Sequence, residues 1–543
     1  MKRLSEQKWL NRLLEIIPGA LAWSILLLPF ILAPFLPKVV AYFVLAFTLY
    51  WFVKSLNMMK NLFKSFPRLW RNMKIDWLKR CQVLSTDPEM LLKQIETDYK
   101  KNHNRRDLLD YEELNNLEGH HELIKNWKDV YHLVIIANYK ENFDILETTF
   151  DALDESNYPN DRFIILLAGE GREKKDFLAR RKEIEEKYTG VFNALIFNVH
   201  EDNDGEVKGK GSNLYSASKK IRTFMSQDRP QISPDNVLVT TLDADHLVHR
   251  EYFGRLTYKY IIDPNRDRKT YQPVPLLFNN IWDAPAPNRI AAISSSFFQM
   301  IEAVRPFRLR TFAAHTQSLQ TLLITDFWSN QTIVEDGHQY WRTYFAYNGD
   351  HEMVALFIPV YQDCVLASTK IVTFKNQYLQ MRRWAWGISD FPFVVKEYMR
   401  HPEISFGEKI LQVFRLFSGH FSWSTASFLL AFAWLPLLFN NSFQDTVLAH
   451  NVTYFSSLIM NLAWISLIAN VWCFFLLLPP RPKNSSKTKY IGLALQWFLI
   501  PVVALFFSAI PALESQTRLM LGKKLDVFWV TPKVRKSEVS KNY

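Results

Sequence analysis

The chain has 543 residues, enough for more than one domain. Its three cysteines, Cys81, Cys364 and Cys473, lie far apart and show no Cys-x-x-Cys spacing, which argues against a disulfide framework and a cysteine zinc site. The net charge of +11 comes with Lys and Arg grouped beside long apolar runs and with no nucleic-acid-binding module, so the basicity is assigned to membrane-proximal loops and no nucleic acid is expected as a partner.

A short basic start (Lys2, Arg3, Lys8, Arg12) precedes an apolar run over residues 16–36 and a second over 39–53, with Pro34 and Pro37 at the turn between them. Each run approaches the ~20 residues that cross a bilayer. The length of the first run, and the second following at once, disfavour a cleaved signal peptide. Basic residues on both flanks, continuing through Lys54, Lys60, Lys64, Arg68 and Arg71, predict a hairpin with both ends in the cytoplasm. Residues 57–80 set Phe63, Phe66, Leu69, Trp70 and Trp77 at helical spacing among cations, which suits a helix on the membrane surface or one packed on a soluble domain. Residues 87–128 are charged and helix-prone, and His120 and His121 read as solvated.

From residue 130 the pattern alternates. Strands are predicted over 130–137, 162–168, 191–199 and 236–242, with helices over 142–156 and 175–188. This alternation predicts a parallel, doubly wound α/β sheet with a ligand site at the carboxyl ends of its strands. An amphipathic stretch over 406–417 then leads to apolar runs over 421–439, 452–478 and 491–510. The loop 481–489 is basic and expected inside, and the loop 440–451 carries no Lys or Arg and is expected outside. Three crossings put the tail outside, yet Arg518, Lys523, Lys524, Lys533, Arg535 and Lys536 favour inside. Either a further span exists, or 491–510 bends back at Pro501 without crossing. The expected organisation is a transmembrane hairpin (1–58), a membrane-proximal helical linker (59–129), an α/β catalytic domain (130–400), an interfacial helix with C-terminal membrane helices (401–512), and a tail (513–543).

The motifs sit at strand ends and helix starts. Asp243-Ala244-Asp245-His246 closes the fourth strand; carboxylates spaced i, i+2 can hold a hard divalent cation, which can neutralise a diphosphate. Asn138-Tyr139-Lys140-Glu141 closes the first strand, where polar side chains can meet a base or ribose or simply cap a helix. Gly169-Glu170-Gly171 closes the second. Gly209-Lys210-Gly211-Ser212-Asn213 follows the third, and small residues with a lysine before a helix suit a diphosphate, although the spacing is not that of a P-loop. Glu335-Asp336-Gly337 offers a paired carboxylate, one member of which can act as general base, or else a helix start. Gln380-Met381-Arg382-Arg383-Trp384 joins an amide, fork-shaped cations and an aromatic face, fit for a phosphate and a sugar ring or for an interfacial belt.

In this order the motifs resemble the family 2 glycosyltransferases, most of all the membrane-embedded cellulose, hyaluronan and mannan synthases. The resemblance covers about residues 130–390 and the layout of flanking helices, and Gln-x-x-Arg-Trp is its most specific part. The tail stretch Phe528-Trp529-Val530-Thr531-Pro532-Lys533 is similar to the Phe-x-Val-Thr gating loop of cellulose synthase.

This resemblance implies a GT-A fold and a nucleotide-sugar donor, with a UDP-sugar expected. Asn138, Glu141, Glu170, Lys210 and Asp243 would serve the donor. Asp245 and His246 would hold Mg²⁺ or Mn²⁺. Asp336 would be the base in a single inverting displacement. Glu335, Gln380, Arg383 and Trp384 would line the acceptor and diphosphate end, and Phe528, Val530 and Thr531 would close over the nucleotide from a cytoplasmic tail. The sequence departs from the family pattern at Ala137, usually proline; at Gly169-Glu170-Gly171, usually an aspartate pair that meets uracil; and at Lys210-Gly211-Ser212, usually Lys-Ala-Gly. His315, in Thr311-Phe-Ala-Ala-His-Thr-Gln-Ser318, has no assigned role.

The expected function is extension of a β-linked polysaccharide at the cytoplasmic membrane, with membrane lipids around the helices and an export partner left open. One alternative is transfer of a single sugar to a polyprenyl phosphate or other lipid acceptor. Another, from a different class, is a catalytically inactive nucleotide-binding membrane sensor. Product length separates the first two, and metal-dependent donor hydrolysis eliminates the third.

Overall fold

The computed structural model describes residues 7–102, 105–117, 120–482, 486–525, 529 and 531–535. The chain divides into two compact units: one built on residues 64–279 and 298–363, the other on residues up to 63, 280–297 and 364–540.

The first unit is built on an eight-stranded mixed sheet in the order β3-β2-β1-β4-β7-β6-β8-β5. Its strands are β1 (Tyr131–Ala137), β2 (Phe163–Glu170), β3 (Ala194–His200), β4 (Val237–Asp243), β5 (Leu247–Val248), β6 (Lys269–Leu276), β7 (Thr316–Ser318) and β8 (Glu352–Tyr361). β3, β2, β1 and β4 run parallel. Their apolar side chains alternate between two cores, as a pleated strand requires. In β1, Val134 and Ile136 join Phe150, Phe163 and Phe177 on one face. Leu133 and Ile135 join Leu214, Ile221 and Trp328 on the other. Helices therefore cover both faces, which is why these strands read as continuous apolar runs. The helix Phe143–Asp154 packs on the first face and Lys210–Gln227 on the second. The chain reverses its winding between β1 and β4, where Ala137 and Asp243 stand in register.

The parallel arrangement expected from the alternation after residue 130 holds for these four strands, and the strands beyond them make the sheet mixed. β7 runs antiparallel to β4 and β6, β5 runs antiparallel to β8, and β6 runs parallel to β8. β7 is Thr-Gln-Ser, without an apolar residue, and it is stabilised by a buried polar ladder. Thr316 meets Thr240 at 2.7 Å, and Gln317 donates to Thr270 and Thr343 at 2.8 Å. Periodicity of apolar residues cannot reveal such a strand.

The segment 57–80 is not one surface helix. The helix Pro37–Asn72 ends, and Asp76 caps a new helix, Trp77–Thr86, by accepting the Lys79 N–H. Trp77 is fully buried, its N–H donates to Glu251 at 3.0 Å, and Arg255 lies over its ring at 4.0 Å. For Trp77 the soluble-domain reading is the correct one. Cys81, Leu84, Leu91, Ile95, Leu114 and Leu117 belong to the same core as the sheet.

Among the described residues, five helical segments are long and apolar enough to cross a membrane: Lys8–Leu32, Pro37–Asn72, Phe406–Phe439, Val447–Leu477 and Lys489–Met520, all in the second unit except for the end of Pro37–Asn72 beyond residue 63. One end of the group is marked by Ala33, Val40 and Ala41 packed with Leu429, Ala433, Phe443 and Val452. The fifth segment is irregular. It passes through a 3₁₀ turn (Gln496–Leu499) and a π turn (Leu505–Ala509), near Pro501 and Pro511, which interrupt the helical ladder. Tyr490 meets Phe475, close to the end of Val447–Leu477. Ser508 then accepts from Trp423 at 2.8 Å, and Gln516 donates to the His420 carbonyl. Leu519 finally receives Arg12, from the first turns of Lys8–Leu32. The segment thus enters and leaves on the side opposite the Ala33 end.

Candidate active site

The carboxyl ends of the parallel strands carry the candidate chemistry. β4 ends at Asp243, and the turn after it presents Asp245 and His246. The ligand atoms of these three residues lie within 4.8 Å of one another. Two carboxylates with an imidazole are a donor set that fits Mg²⁺ or Mn²⁺. Asp245 is buried, and one of its oxygens accepts the Asp363 N–H at 2.9 Å. His246 is less ready as a ligand. Its Nδ1 accepts the Asp243 N–H at 3.1 Å, so a neutral ring carries its proton on Nε2, 3.4 Å from Asp243 Oδ2. To bind a metal through Nε2 the ring must give up that hydrogen bond.

Lys210 is the hub. Its ammonium lies 2.9 Å from Asp243, 3.5 Å from Asp336 and 3.8 Å from Glu335. Burial works against its charge, but Asp243, Asp336 and Glu335 more than offset this and hold its pKa above the ordinary lysine value. The approach depends on Gly211. A Cβ there would stand 2.6 Å from the Ser329 carbonyl and 3.2 Å from Glu335 Cβ. Gly211→Ala is therefore expected to push the 329–335 loop away, moving Glu335 and Asp336 off Lys210. A drop in the thermal midpoint together with weaker donor binding checks this; unchanged values for both would contradict it.

Glu335 and Asp336 open the helix Glu335–Ala346, and Thr311 Oγ1 donates to the Asp336 carbonyl. His315, unassigned from sequence, is fully buried beside them. Its Nε2 accepts from Trp328 Nε1 at 3.2 Å, which places the ring proton on Nδ1, facing the Phe312 carbonyl at 2.9 Å and Asp336 Oδ1 at 3.7 Å. Burial lowers its pKa, with Asp336 partly opposing, so the ring is neutral. A lone histidine in an apolar context gave no sequence signal for this placement.

Asn138 and Glu141 are bonded to one another in the turn after β1. Asn138 Nδ2 and the Tyr139 N–H both donate to the Glu141 carboxylate, at 3.2 and 2.8 Å, and Arg180 donates to Asn138 Oδ1 at 3.1 Å. Lys140 between them has φ +73°. The helix cap is Asn142, whose side chain accepts the Ile145 N–H. Glu170 is likewise engaged. It sits 3.2 Å from Arg172 and 3.3 Å from His200 Nδ1, and His200 Nε2 is 2.9 Å from Glu206. Glu170, His200 and Asp202 could hold a metal by distance alone, but Arg172 already contacts both carboxylates.

Burial of His200 opposes its charge, and the hydrogen bonds its ring donates to Glu170 and Glu206 outweigh it, so its pKa is raised. A raised folded-state pKa gives stability that is complete below the unfolded value of ~6.5 and is lost as pH rises through the folded value. The thermal midpoint is expected to fall over that window in the native chain, and this component of the slope is expected to vanish in His200→Gln. Equal slopes in both would refute the assignment.

Gln380, Arg383 and Trp384 belong to the second unit, on one face of the helix Lys370–Ala385. Gln380 accepts from Gln377, which accepts from Asn288, and Trp384 packs with Ile290, Met381 and Val503. In the tail, Phe528 and Val530 lie outside the described residues. Thr531 is buried, Lys533 pairs with Leu366, and Trp529 donates to Asn376 at 2.6 Å, one turn before Gln380.

No family model matches the chain, and no curated protein matches it. Solved structures to which it is similar include a mannosyltransferase, PcManGT from Pyrobaculum calidifontis, in complex with GDP-Man and Mn²⁺, at 13% identity over 63% of this chain and 87% of that one with a TM-score of 0.37. S. aureus TarS 1–349 matches at 14% identity over 73% and 93% with a TM-score of 0.32. GalNAc-T7 with UDP, GalNAc and Mn²⁺ matches at 10% identity over 54% and 58%, also at 0.32. Likenesses this distant assign no residue and no substrate.

Proposed function

We propose that the chain is a membrane-bound inverting glycosyltransferase with a GT-A catalytic unit, taking its sugar from a nucleoside diphosphate donor and extending a β-linked polysaccharide. The observation that carries this reading is the meeting of Asp243, Glu335 and Asp336 around Lys210 at the carboxyl ends of parallel strands, beside Asp245 and His246. Asp243 and Asp245 would hold Mg²⁺ or Mn²⁺, which when bound supplies positive charge to the departing diphosphate. Asp336 takes the proton of the acceptor hydroxyl as that oxygen attacks the anomeric carbon, and the bond to the diphosphate breaks on the opposite face, inverting the configuration. Lys210 transfers its attraction from the three carboxylates to the donor phosphates.

The test is incubation of purified protein with Mn²⁺ or Mg²⁺ and a panel of UDP- and GDP-sugars, reading released diphosphate and product size. Release with a polymer supports the proposal. A single sugar on a lipid selects the lipid-acceptor alternative, and absence of release from every donor and acceptor refutes both.

The proposed topology has four crossings and one returning segment, Lys489–Met520, with both chain ends and the catalytic unit in the cytoplasm. It rests on the shared side of Tyr490 and Met520 and on the basic tail. Single cysteines at positions 7 and 524 are expected to react with an impermeant maleimide only after vesicles are opened to the cytoplasmic side, and one at 441 from outside; opposite labelling of 7 and 524 would overturn it.

A further inference from the structure

An apolar groove of 740 Å³ opens along one side of the second unit, within the usual size of a ligand site. Its origin is a close helix contact. A Cβ at Gly19 would lie 2.7 Å from both the Gln516 carbonyl and Met520 Cβ, so Lys8–Leu32 and Ile510–Met520 touch there. Beyond that contact one face of each helix, Trp23-Leu26-Leu27-Phe30 and Ile510-Leu513-Thr517-Leu521, forms a wall, and Phe428 and Phe432 line it too. The spacings i, i+3, i+4, i+7 in the first and i, i+3, i+7, i+11 in the second keep each wall on one helix face. Trp23 Nε1 donates to Thr517 Oγ1 at 2.9 Å and joins the walls.

The groove is not uniform. Ile510 and Leu513 are apolar, whereas the other end, about 16 Å along the helix by its rise, carries Arg518 and Lys523. Glu514 also lines it, but its carboxylate is taken by Arg382 at 2.8 Å, Arg518 Nε at 2.6 Å and Tyr378 at 2.6 Å. Those bonds fix the Arg518 guanidinium at the rim. The ligand surface is therefore a hydrocarbon-lined slot ending in a positive mouth, and the side of that mouth is the side of Arg12 and the basic tail.

We infer that this groove binds an anionic glycerophospholipid of the surrounding bilayer, one acyl chain between Leu26, Phe432 and Leu513 and the phosphate on Arg518 and Lys523. The reading rests on the membrane placement proposed above but not on sugar transfer. A peptide or a second helix would not need a cation pair at one end only, and free phosphate would not need the apolar walls. The slot is also too short for a long polyprenyl chain. Because the slot is bounded by the returning segment, the lipid braces Ile510–Met520 against Lys8–Leu32.

The test uses the full chain purified in detergent. Co-purified lipid is quantified by organic phosphate and mass spectrometry, and the thermal midpoint is read with added phosphatidylglycerol, phosphatidylcholine or inorganic phosphate. Retained phosphatidylglycerol and an upward shift of several degrees with that lipid alone are expected. Leu513→Trp, which fills the slot, and Lys523→Glu, which reverses one charge at an exposed position, are each expected to lose most of the retained lipid while keeping elution volume and helical content. Equal retention in both variants overturns the proposal. So does an equal response to phosphatidylcholine, a shift with inorganic phosphate alone, or a polyprenyl phosphate as the retained lipid. No sugar donor is present in these measurements, so their failure is separate from failure of the transferase reading.

Discussion

Asp336→Asn is expected to lower sugar transfer by about 10²–10⁴-fold, the usual size of a general-base contribution, with donor binding retained. Asparagine keeps the size of the side chain and the helix start at Glu335, so the loss falls on proton removal. The surroundings suit a base. Neutral His315 faces the carboxylate without competing for the proton, Thr311 holds the Asp336 backbone, and the side chain is about one-quarter exposed, leaving an approach for the acceptor. The measurement is turnover and donor dissociation constant in parallel. Full turnover in the variant would move the base elsewhere, and lost donor binding would make Asp336 a donor residue.

Lys210→Met is expected to be worse for the fold than for any single contact. It leaves Asp243, Glu335 and Asp336 gathered without their cation. Removing one partner of a buried ion pair costs roughly 3–5 kcal/mol, and the partial exposure of Asp243 argues for the lower end, about 3 kcal/mol. Chemical denaturation of the two proteins measures this. Adding Mn²⁺ is expected to restore part of the loss, because a divalent ion held by Asp243 and Asp245 would neutralise Asp243, one of the three carboxylates left without their cation. A variant as stable as the native chain, with or without the ion, would mean that Lys210 is not the organising charge.

The parallel half of the sheet was legible because β1, β2 and β4 are buried on both faces and so carry unbroken apolar runs. Asp243 was legible because a strand of that kind must end somewhere, and a carboxylate there is conspicuous. β7 was hidden because its partners are hydroxyls and amides, and His315 because its neighbours in space, Trp328 and Asp336, are distant in sequence. Asn138 and Glu141 show the opposite case. Their residue types suit a donor, yet the turn they form uses their own hydrogen-bonding groups, and no sequence pattern separates a side chain aimed at a ligand from one aimed at its own backbone. The last apolar run was ambiguous for a physical reason as well. Its proline positions signal bending, but the direction of the bend is set by Arg12, Trp423 and His420, which lie elsewhere in the chain.

The antiparallel strand has a consequence for how the molecule can change. β7 begins immediately after His315 and is hydrogen-bonded beside β4, with Thr316 opposite Thr240 and the Thr241 N–H donating to the His315 carbonyl. The strand that ends at Asp243 and the residue His315 are thus held by adjacent rungs of one backbone ladder, while the segments 138–142 and 201–208 are tied elsewhere, Asn138 to Arg180, Glu206 to His200 and the Val207 N–H to the Asn330 carbonyl. Because Glu206 and Val207 bond Asn330, five residues before Glu335, exchange of the 201–208 segment is expected to shift the start of the helix Glu335–Ala346, whereas the β4–β7 rungs hold His315 at a fixed spacing from Asp243.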